Sequence, residues 1–218
     1  MSPQHPTEKK FEDHIEKHLK QSGYNSIDPT LYDKELCLIP TKVLDFIKST
    51  QEKTYQKLEQ QFGSETDDKL CKRITSEIDS RGVIDVLRQG VKTRGCHFQL
   101  VYFEPKSGLN EEHQELFKHN QFSVVRQLKY SKKNENSIDM GVFLNGLPIV
   151  MLELKNELTG QDHLNGIKQW KNDRDPNEPL FKFKRNLVYF SVGNDKVYMS
   201  TRLLKDKTFF LPFNKDVD

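Results

Sequence analysis

Between residues 137 and 155 two carboxylates and an ammonium are set inside otherwise apolar strand patterns, and this arrangement narrows the possible folds sharply. Ser137-Ile138-Asp139-Met140 leads across Asn145-Gly146 to Met151-Leu152-Glu153-Leu154-Lys155. Withdrawing an ionised group from water is costly unless an opposite charge, a metal or a phosphate pairs with it. A chain that folds despite that cost keeps the charges for chemistry. Asp, Glu and Lys together suit Mg2+-assisted attack on a phosphodiester.

The hairpin around Asn145-Gly146 decides whether these groups can meet. Side chains alternate along a strand, so Glu153 and Lys155 share one face while Val150, Leu152 and Leu154 share the other. In the preceding strand Asp139, Gly141 and Phe143 oppose Met140, Val142 and Leu144. A two-residue turn pairs Leu144 with Leu147 and puts Asp139 opposite Leu152, on the face away from Glu153. A three-residue loop, Leu144-Asn145-Gly146 with Gly146 left-handed, pairs Phe143 with Leu147 and sets Asp139 opposite Met151, diagonal to Glu153. The three-residue loop is the expectation. A plain two-residue turn with no compensating bulge excludes a shared site.

With 218 residues, 30% charged and 34% hydrophobic, the chain supports one sizeable core under a densely ionic surface. No apolar run reaches the length of a bilayer span, and Met1-Ser2-Pro3-Gln4-His5-Pro6 has no hydrophobic signal region, so a soluble, cytoplasmic protein is expected. Cys37, Cys71 and Cys96 are odd in number and lack CxxC spacing, which argues for reduced, buried thiols rather than disulfides or zinc. A net charge of +2 leaves any nucleic-acid face to local clustering. No Gly-x-x-x-x-Gly-Lys-Ser/Thr loop is present, so the chain has no ATPase of that type.

Periodicity predicts helices over Glu8–Gln21, Thr41–Phe62, Leu70–Asp79, Asn110–Lys118 and Gln161–Lys171. Strands are predicted at Val83–Leu87, His97–Phe103 and Phe122–Tyr130, then at the Asp139 and Glu153 segments. Pro105 and Gly108 mark a loop, and Leu187–Gly193 with Val197–Leu203 form a last hairpin through Asn194-Asp195. The expected fold class is α/β. One domain spans 1–218: a mostly helical part over about 1–80, a sheet-containing core over about 81–205, and the start of a linker at 206–218.

These residues resemble the PD-(D/E)xK nucleases. A wider match looks like the N-terminal domain of type I restriction enzyme R subunits. It runs from Phe11-Glu12 through Gly82-Val83-Ile84-Asp85-Val86-Leu87-Arg88, Arg126-Gln127 and Leu147-Pro148 to Leu158-Thr159-Gly160-Gln161 and Thr208-Phe209-Phe210-Leu211-Pro212-Phe213-Asn214. The resemblance implies a restriction-endonuclease-like mixed sheet flanked by helices, with an N-terminal helical extension, and a Mg2+-dependent endonuclease acting on double-stranded DNA. It implies that Asp139 and Glu153, with the Leu154 carbonyl, bind one or two Mg2+ ions, which Mn2+ can replace, and that Lys155 is the catalytic lysine. Glu12 is the implied first-helix glutamate near the metal. ATP use belongs to the full-length subunit, and the modification and specificity subunits are the implied partners.

Two departures stand out. Ile138 replaces the proline of the superfamily name. Where some relatives carry Gln-x-x-x-Tyr on the following helix, this chain has Gly166 and Trp170, leaving Gln169 or Gln161 to substitute. Lys168, Lys171 and Arg174, with Lys182, Lys184 and Arg185, are candidate contacts to a phosphate backbone, although Asp173, Asp175 and Glu178 dilute them and a solvated helix end reads equally well. His97, His113, His119 and His163 show no metal-ligand spacing. The competing reading is a catalytically inactive module that contacts DNA or docks companion subunits.

Overall fold

The computed structural model describes residues 6–105 and 110–214, so Gly108 and residues 215–218 lie outside the described residues. α1 (Pro6–Gln21) lays Phe11, Ile15 and Leu19, one side chain per turn, against Val124, Met140 and Leu154. A short strand, β1 (Asn25–Ser26), follows.

The helical pattern over Thr41–Phe62 is two helices, α2 (Pro40–Thr50) and α3 (Glu52–Phe62). Gln51 breaks it, with φ −142°, because its side-chain amide pairs with the backbone of Gln99: Oε1 accepts from Gln99 N at 2.7 Å and Nε2 donates to Gln99 O at 2.9 Å. α4 (Thr66–Arg81) is followed by α5 (Val83–Gln89), where a strand was expected. The buried positions of α5 are Val83, Val86 and Leu87, spaced i, i+3, i+4, while Ile84 faces out. That is helical spacing, and the β-branched run obscured it. An Arg81–Asp85 ion pair one turn apart supports this segment.

β2 (Val91–Thr93) and β3 (Cys96–Phe98) form a separate antiparallel pair. The expected strand over His97–Phe103 therefore stops at Phe98, just before Gln99 is taken by Gln51. α6 (Glu111–Lys118) starts at Asn110, whose side chain accepts from His113 N. Then come β4 (Phe122–Lys129), β5 (Ser137–Leu144), β6 (Leu147–Leu154), α7 (His163–Asn172), β7 (Val188–Val192), β8 (Val197–Ser200) and β9 (Leu211–Pro212).

Among the described residues the main sheet has seven strands in the order β1-β4-β5-β6-β7-β8-β9. β1 with β4 and β6 with β7 run parallel, and the other neighbours are antiparallel. The parallel β6–β7 pair needs a crossover, which α7 supplies. β9 pairs with β8 at one edge of the sheet, and Asn214 Oδ1 accepts from Val197 N at 2.8 Å. One sheet face packs Val142, Leu147 and Ile149 against α2 to α5, and the other packs Phe143 and Met151 against Trp170, Phe181 and Tyr189. The three cysteines are free and buried. No helix among the described residues is long and apolar enough to cross a membrane.

The β5–β6 turn departs from expectation. Leu144 pairs with Leu147, and Asn145 (φ +50°) and Gly146 (φ +82°) are both left-handed, as a two-residue type I′ turn requires. Asn145 cannot belong to a longer loop because its groups are fixed from outside: Nδ2 donates to Leu100 O at 3.0 Å, and Oδ1 accepts from Gln121 N at 2.8 Å. The register is then reset within β6. Phe143 pairs with Pro148 but Val142 pairs with Val150, leaving Ile149 as a bulge residue. Pro148 has no N–H for the ladder, and the Ile149 carbonyl instead accepts from Leu187 N at 3.0 Å. Beyond the bulge Gly141 faces Met151 and Met140 faces Leu152, so one further step sets Asp139 across from Glu153.

Candidate functional site

The bulge brings the acidic pair together at the end of β6. Asp139 Oδ2 accepts the backbone N–H of Leu154 at 2.7 Å and lies 3.9 Å from Lys155 Nζ. Lys155 N donates to Val192 O at 2.8 Å, which ties the segment after β6 to β7. Lys155 is buried, while the Asp139 side chain keeps 20% of its surface exposed, so the site opens to solvent on the Asp139 side.

Glu153 is fully buried. Its Oε1 accepts two hydrogen bonds from Arg174, from Nε at 2.8 Å and Nη2 at 2.5 Å, and its Oε2 has no partner among the described residues. Arg174 is itself held by the Tyr130 hydroxyl, 3.4 Å from Nη1, and its guanidinium lies 5.5 Å from the centre of the Tyr130 ring. Burial pushes the Glu153 carboxyl up to about 8, the Asp139 charge adds to the rise, and Arg174 and Lys155 pull against it.

On the other side of Asp139 stands Gln127. It lies between the pairs Arg126–Met140 and Leu128–Ile138, and it holds a φ of +47° inside β4. A left-handed non-glycine residue costs about 1–3 kcal/mol and persists where its surroundings enforce it. Here Gln127 Nε2 donates to Glu12 Oε1 at 2.8 Å, and Gln127 Oε1 accepts from Ser137 Oγ at 3.0 Å. Arg126 donates to Glu12 Oε2 from Nε at 3.1 Å and Nη2 at 2.9 Å, and also binds Asp13 and Glu16, which straps α1 onto β4. Burial raises the Glu12 carboxyl; the Arg126 hydrogen bond lowers it and the Asp139 charge raises it again. Glu12 thus senses Asp139, with its carboxylate engaged by Arg126 and Gln127.

Among the described residues no three His, Cys, Asp or Glu side chains form a ready-made metal cage. Mg2+ needs only one or two protein carboxylates, its remaining positions being filled by water or phosphate oxygen. Facing carboxylates, one of them with an orphaned oxygen in a buried setting, are a donor set that fits this hard cation.

α7 supports the site from behind. Asp162 and Asn165 form a reciprocal cap at its start, with Asp162 accepting from Leu164 N at 2.9 Å and Asn165 Oδ1 accepting from Asp162 N at 3.0 Å. A Cβ on Gly166 would fall 2.2 Å from Ser191 Oγ and 3.5 Å from Lys155 Cγ. Glycine therefore permits the helix to lie against β7 and the Lys155 stem, and a glutamine cannot occupy that place. Trp170 is fully buried, with Nε1 donating to Phe190 O at 2.9 Å. Gln161 and Gln169 are half-buried. Gln161 shares a shallow hollow with Asp162 and the exposed Lys168, and Lys171 is half-buried.

Arg174 does not face a phosphate backbone: its side chain is 6% exposed and committed to Glu153. Arg185 is likewise buried, bound to Asp79 at 2.6 Å and to the Leu36 carbonyl. The sequence groups both with neighbouring lysines as a basic set beside the site, a candidate contact to a phosphate backbone.

A mixed sheet that sets two facing carboxylates and a lysine at the ends of adjacent central strands defines a nuclease-like α/β domain. Residues 5–208 match the family model for the type I restriction enzyme R protein N terminus, and the chain belongs to that family. Over 93 residues it is 29% identical to the Type I restriction enzyme EcoprrI endonuclease subunit of Escherichia coli, covering 42% of this chain and 29% of that subunit. The match thus spans less than a third of the relative's length.

Proposed function

We propose that this domain is a Mg2+-dependent endonuclease that hydrolyses phosphodiester bonds of double-stranded DNA within a type I restriction enzyme. The observation that carries the reading is the β6 bulge, which puts Asp139 across from a Glu153 whose Oε2 is buried without a partner. Asp139, Glu153 Oε2 and the Leu154 carbonyl would hold the ion. Bound there, Mg2+ polarises the scissile phosphate and lowers the pKa of a coordinated water.

The protein's own groups do the positioning. The Leu154 N–H fixes the Asp139 carboxylate, and Arg174 fixes Glu153 so that a single oxygen stays available. Lys155, adjacent to Asp139, orients the attacking water and stabilises the charge that gathers on the phosphate oxygens in the transition state. Glu12 adds negative charge beside Asp139 while Arg126 and Gln127 hold it. Gln161, Lys168, Gln169 and Lys171 are the proposed DNA contacts along α7. ATP-driven translocation and target recognition are assigned to the rest of the subunit and to modification and specificity subunits.

Calorimetric titration with Mg2+ and Mn2+ tests the site. Asp139→Ala should abolish binding, and Lys155→Ala should retain it while removing cleavage in the assembled enzyme. Undiminished metal binding by Asp139→Ala would refute the proposal and leave a noncatalytic docking module.

A further inference from the structure

A cleft of about 390 Å3 lies between α5 and the segment leading into β7, within the range of roughly 300–1,000 Å3 usual for small-ligand sites. It is separate from the carboxylates. Leu187, on its wall, bonds to Ile149, whereas Glu153 lies four residues further along β6, about 13 Å away at roughly 3.3 Å per residue.

Its lining is chemically specific. Phe183 and Ile84 are 55% and 52% exposed, an apolar platform open to solvent. Lys184 Nζ and the Arg202 guanidinium lie 5.6 Å and 4.7 Å from the centre of the Phe183 ring. Arg88, on the same wall, is exposed, and none of Arg88, Lys184 and Arg202 has a carboxylate within ion-pair distance among the described residues. The cleft's acid, Asp85, is already bound by Arg81. Asn186 is 4% exposed and also lines the cleft; its Nδ2 donates to Leu180 O at 2.9 Å and Tyr189 Oη at 3.2 Å, which fixes the amide, and its Oδ1 is buried without a partner among the described residues.

We propose that this cleft receives one unpaired nucleotide of a single-stranded nucleic acid. An aromatic face beside unpaired cations fits a base with its phosphate: every base has a π-face to lay on Phe183, and Arg88 and Lys184 meet the charge of the backbone. An acidic peptide would meet the cations but offers no ring to the platform at fixed spacing from its charge. This site does not depend on the nuclease reading, because it uses none of Asp139, Glu153 or Lys155.

Fluorescence anisotropy of the whole chain with a labelled thymidine dodecamer, in EDTA so that no cleavage intervenes, tests the proposal. Phe183→Ala should weaken binding about tenfold, within the range that loss of one base stack gives. Arg88→Ala with Lys184→Ala should make the slope of log affinity against log salt shallower by about 0.7 for each phosphate left unneutralised. An abasic dodecamer should bind wild type and Phe183→Ala alike. Equal affinity of wild type and Phe183→Ala for the thymidine strand overturns the proposal, as does an unchanged salt slope in the double variant. Thymidine monophosphate competing as well as the strand, per nucleotide, overturns the strand in favour of a free nucleotide, and an acidic peptide displacing the strand overturns it in favour of a protein partner. Because Phe183 is largely exposed, its truncation should leave the melting temperature unchanged; the salt slope of the cation variant gives an independent reading.

Discussion

Arg174 grips one oxygen of Glu153 and leaves the other bare. Both groups are nearly inaccessible, at 6% and 0% side-chain exposure, so each depends on the other for compensation. Removing one partner of such a pair strands the other's charge, which typically costs about 3–5 kcal/mol. In urea titrations at pH 9, above the Glu153 value of about 8, Arg174→Met should therefore lower the unfolding free energy by that amount. Adding Glu153→Gln to Arg174→Met should recover part of the loss, since neither member of the pair then carries a charge. A double variant as unstable as the sum of the two singles would show that the two side chains are not coupled.

The Glu153 carboxyl also sets a pH dependence. Its value in the folded protein is raised from 4.5 to about 8, first by burial and then by the Asp139 charge. Between those limits the folded state keeps a proton that the unfolded chain has released, so stability falls as pH rises through the window, at up to about 1.4 kcal/mol per pH unit for this group. In EDTA, the urea midpoint of wild type should drop from pH 5 to pH 8 more steeply than that of Glu153→Gln. Parallel pH profiles for the two proteins would exclude Glu153 as the source.

The proximity of Asp139, Glu153 and Lys155 was legible in the sequence because strand alternation makes parity the only question. The turn was misread, yet the outcome kept the parity: a two-residue turn plus one bulge moves Asp139 from the expected partner Met151 to Glu153, two residues along the same face. Pro148 was the available cue, since a proline in a central strand calls for a bulge or a missing ladder bond. Val83–Leu87 was misassigned because a five-residue stretch with three β-branched residues fits both periods, and only the burial of Val83, Val86 and Leu87 selects the helix. Arg174 and Gln51 were opaque for a different reason. Their roles come from partners 21 and 48 residues away, and no local pattern reports such contacts.

The Asn145-Gly146 turn is fixed from two sides. Gly146 O accepts from Ile39 N at 2.9 Å, and a Cβ on Gly146 would lie 2.6 Å from Ile39 O and 2.7 Å from Val43 Cγ2. Alanine there meets both a left-handed backbone, about 1–2 kcal/mol, and overpacking, about 1–3 kcal/mol. Gly146→Ala should destabilise the fold by about 2–5 kcal/mol in chemical denaturation. A change under about 0.5 kcal/mol, the usual scatter of a neutral surface substitution, would mean that the turn is not pressed against α2.

Gly166 offers the sharpest test of how α7 meets the site. Its built Cβ falls 2.2 Å from Ser191 Oγ but 3.3 Å from Ser191 Cβ, so the obstruction is chiefly one hydroxyl. Gly166→Ala gains up to about 1 kcal/mol of helix propensity and loses about 1–3 kcal/mol to overpacking, for a net loss. Ser191→Ala removes the bond from Ser191 Oγ to His163 O, 2.6 Å long, at about 0.5–1.5 kcal/mol. With the hydroxyl gone, the alanine at 166 meets only a tight methyl contact. The double variant should thus be more stable than the sum of the singles predicts by about 1 kcal/mol or more. Strict additivity would place α7 farther from β7 than the 2.2 Å contact requires, and Lys155, whose Cγ is 3.5 Å from the same built Cβ, would lose the wall that holds its stem.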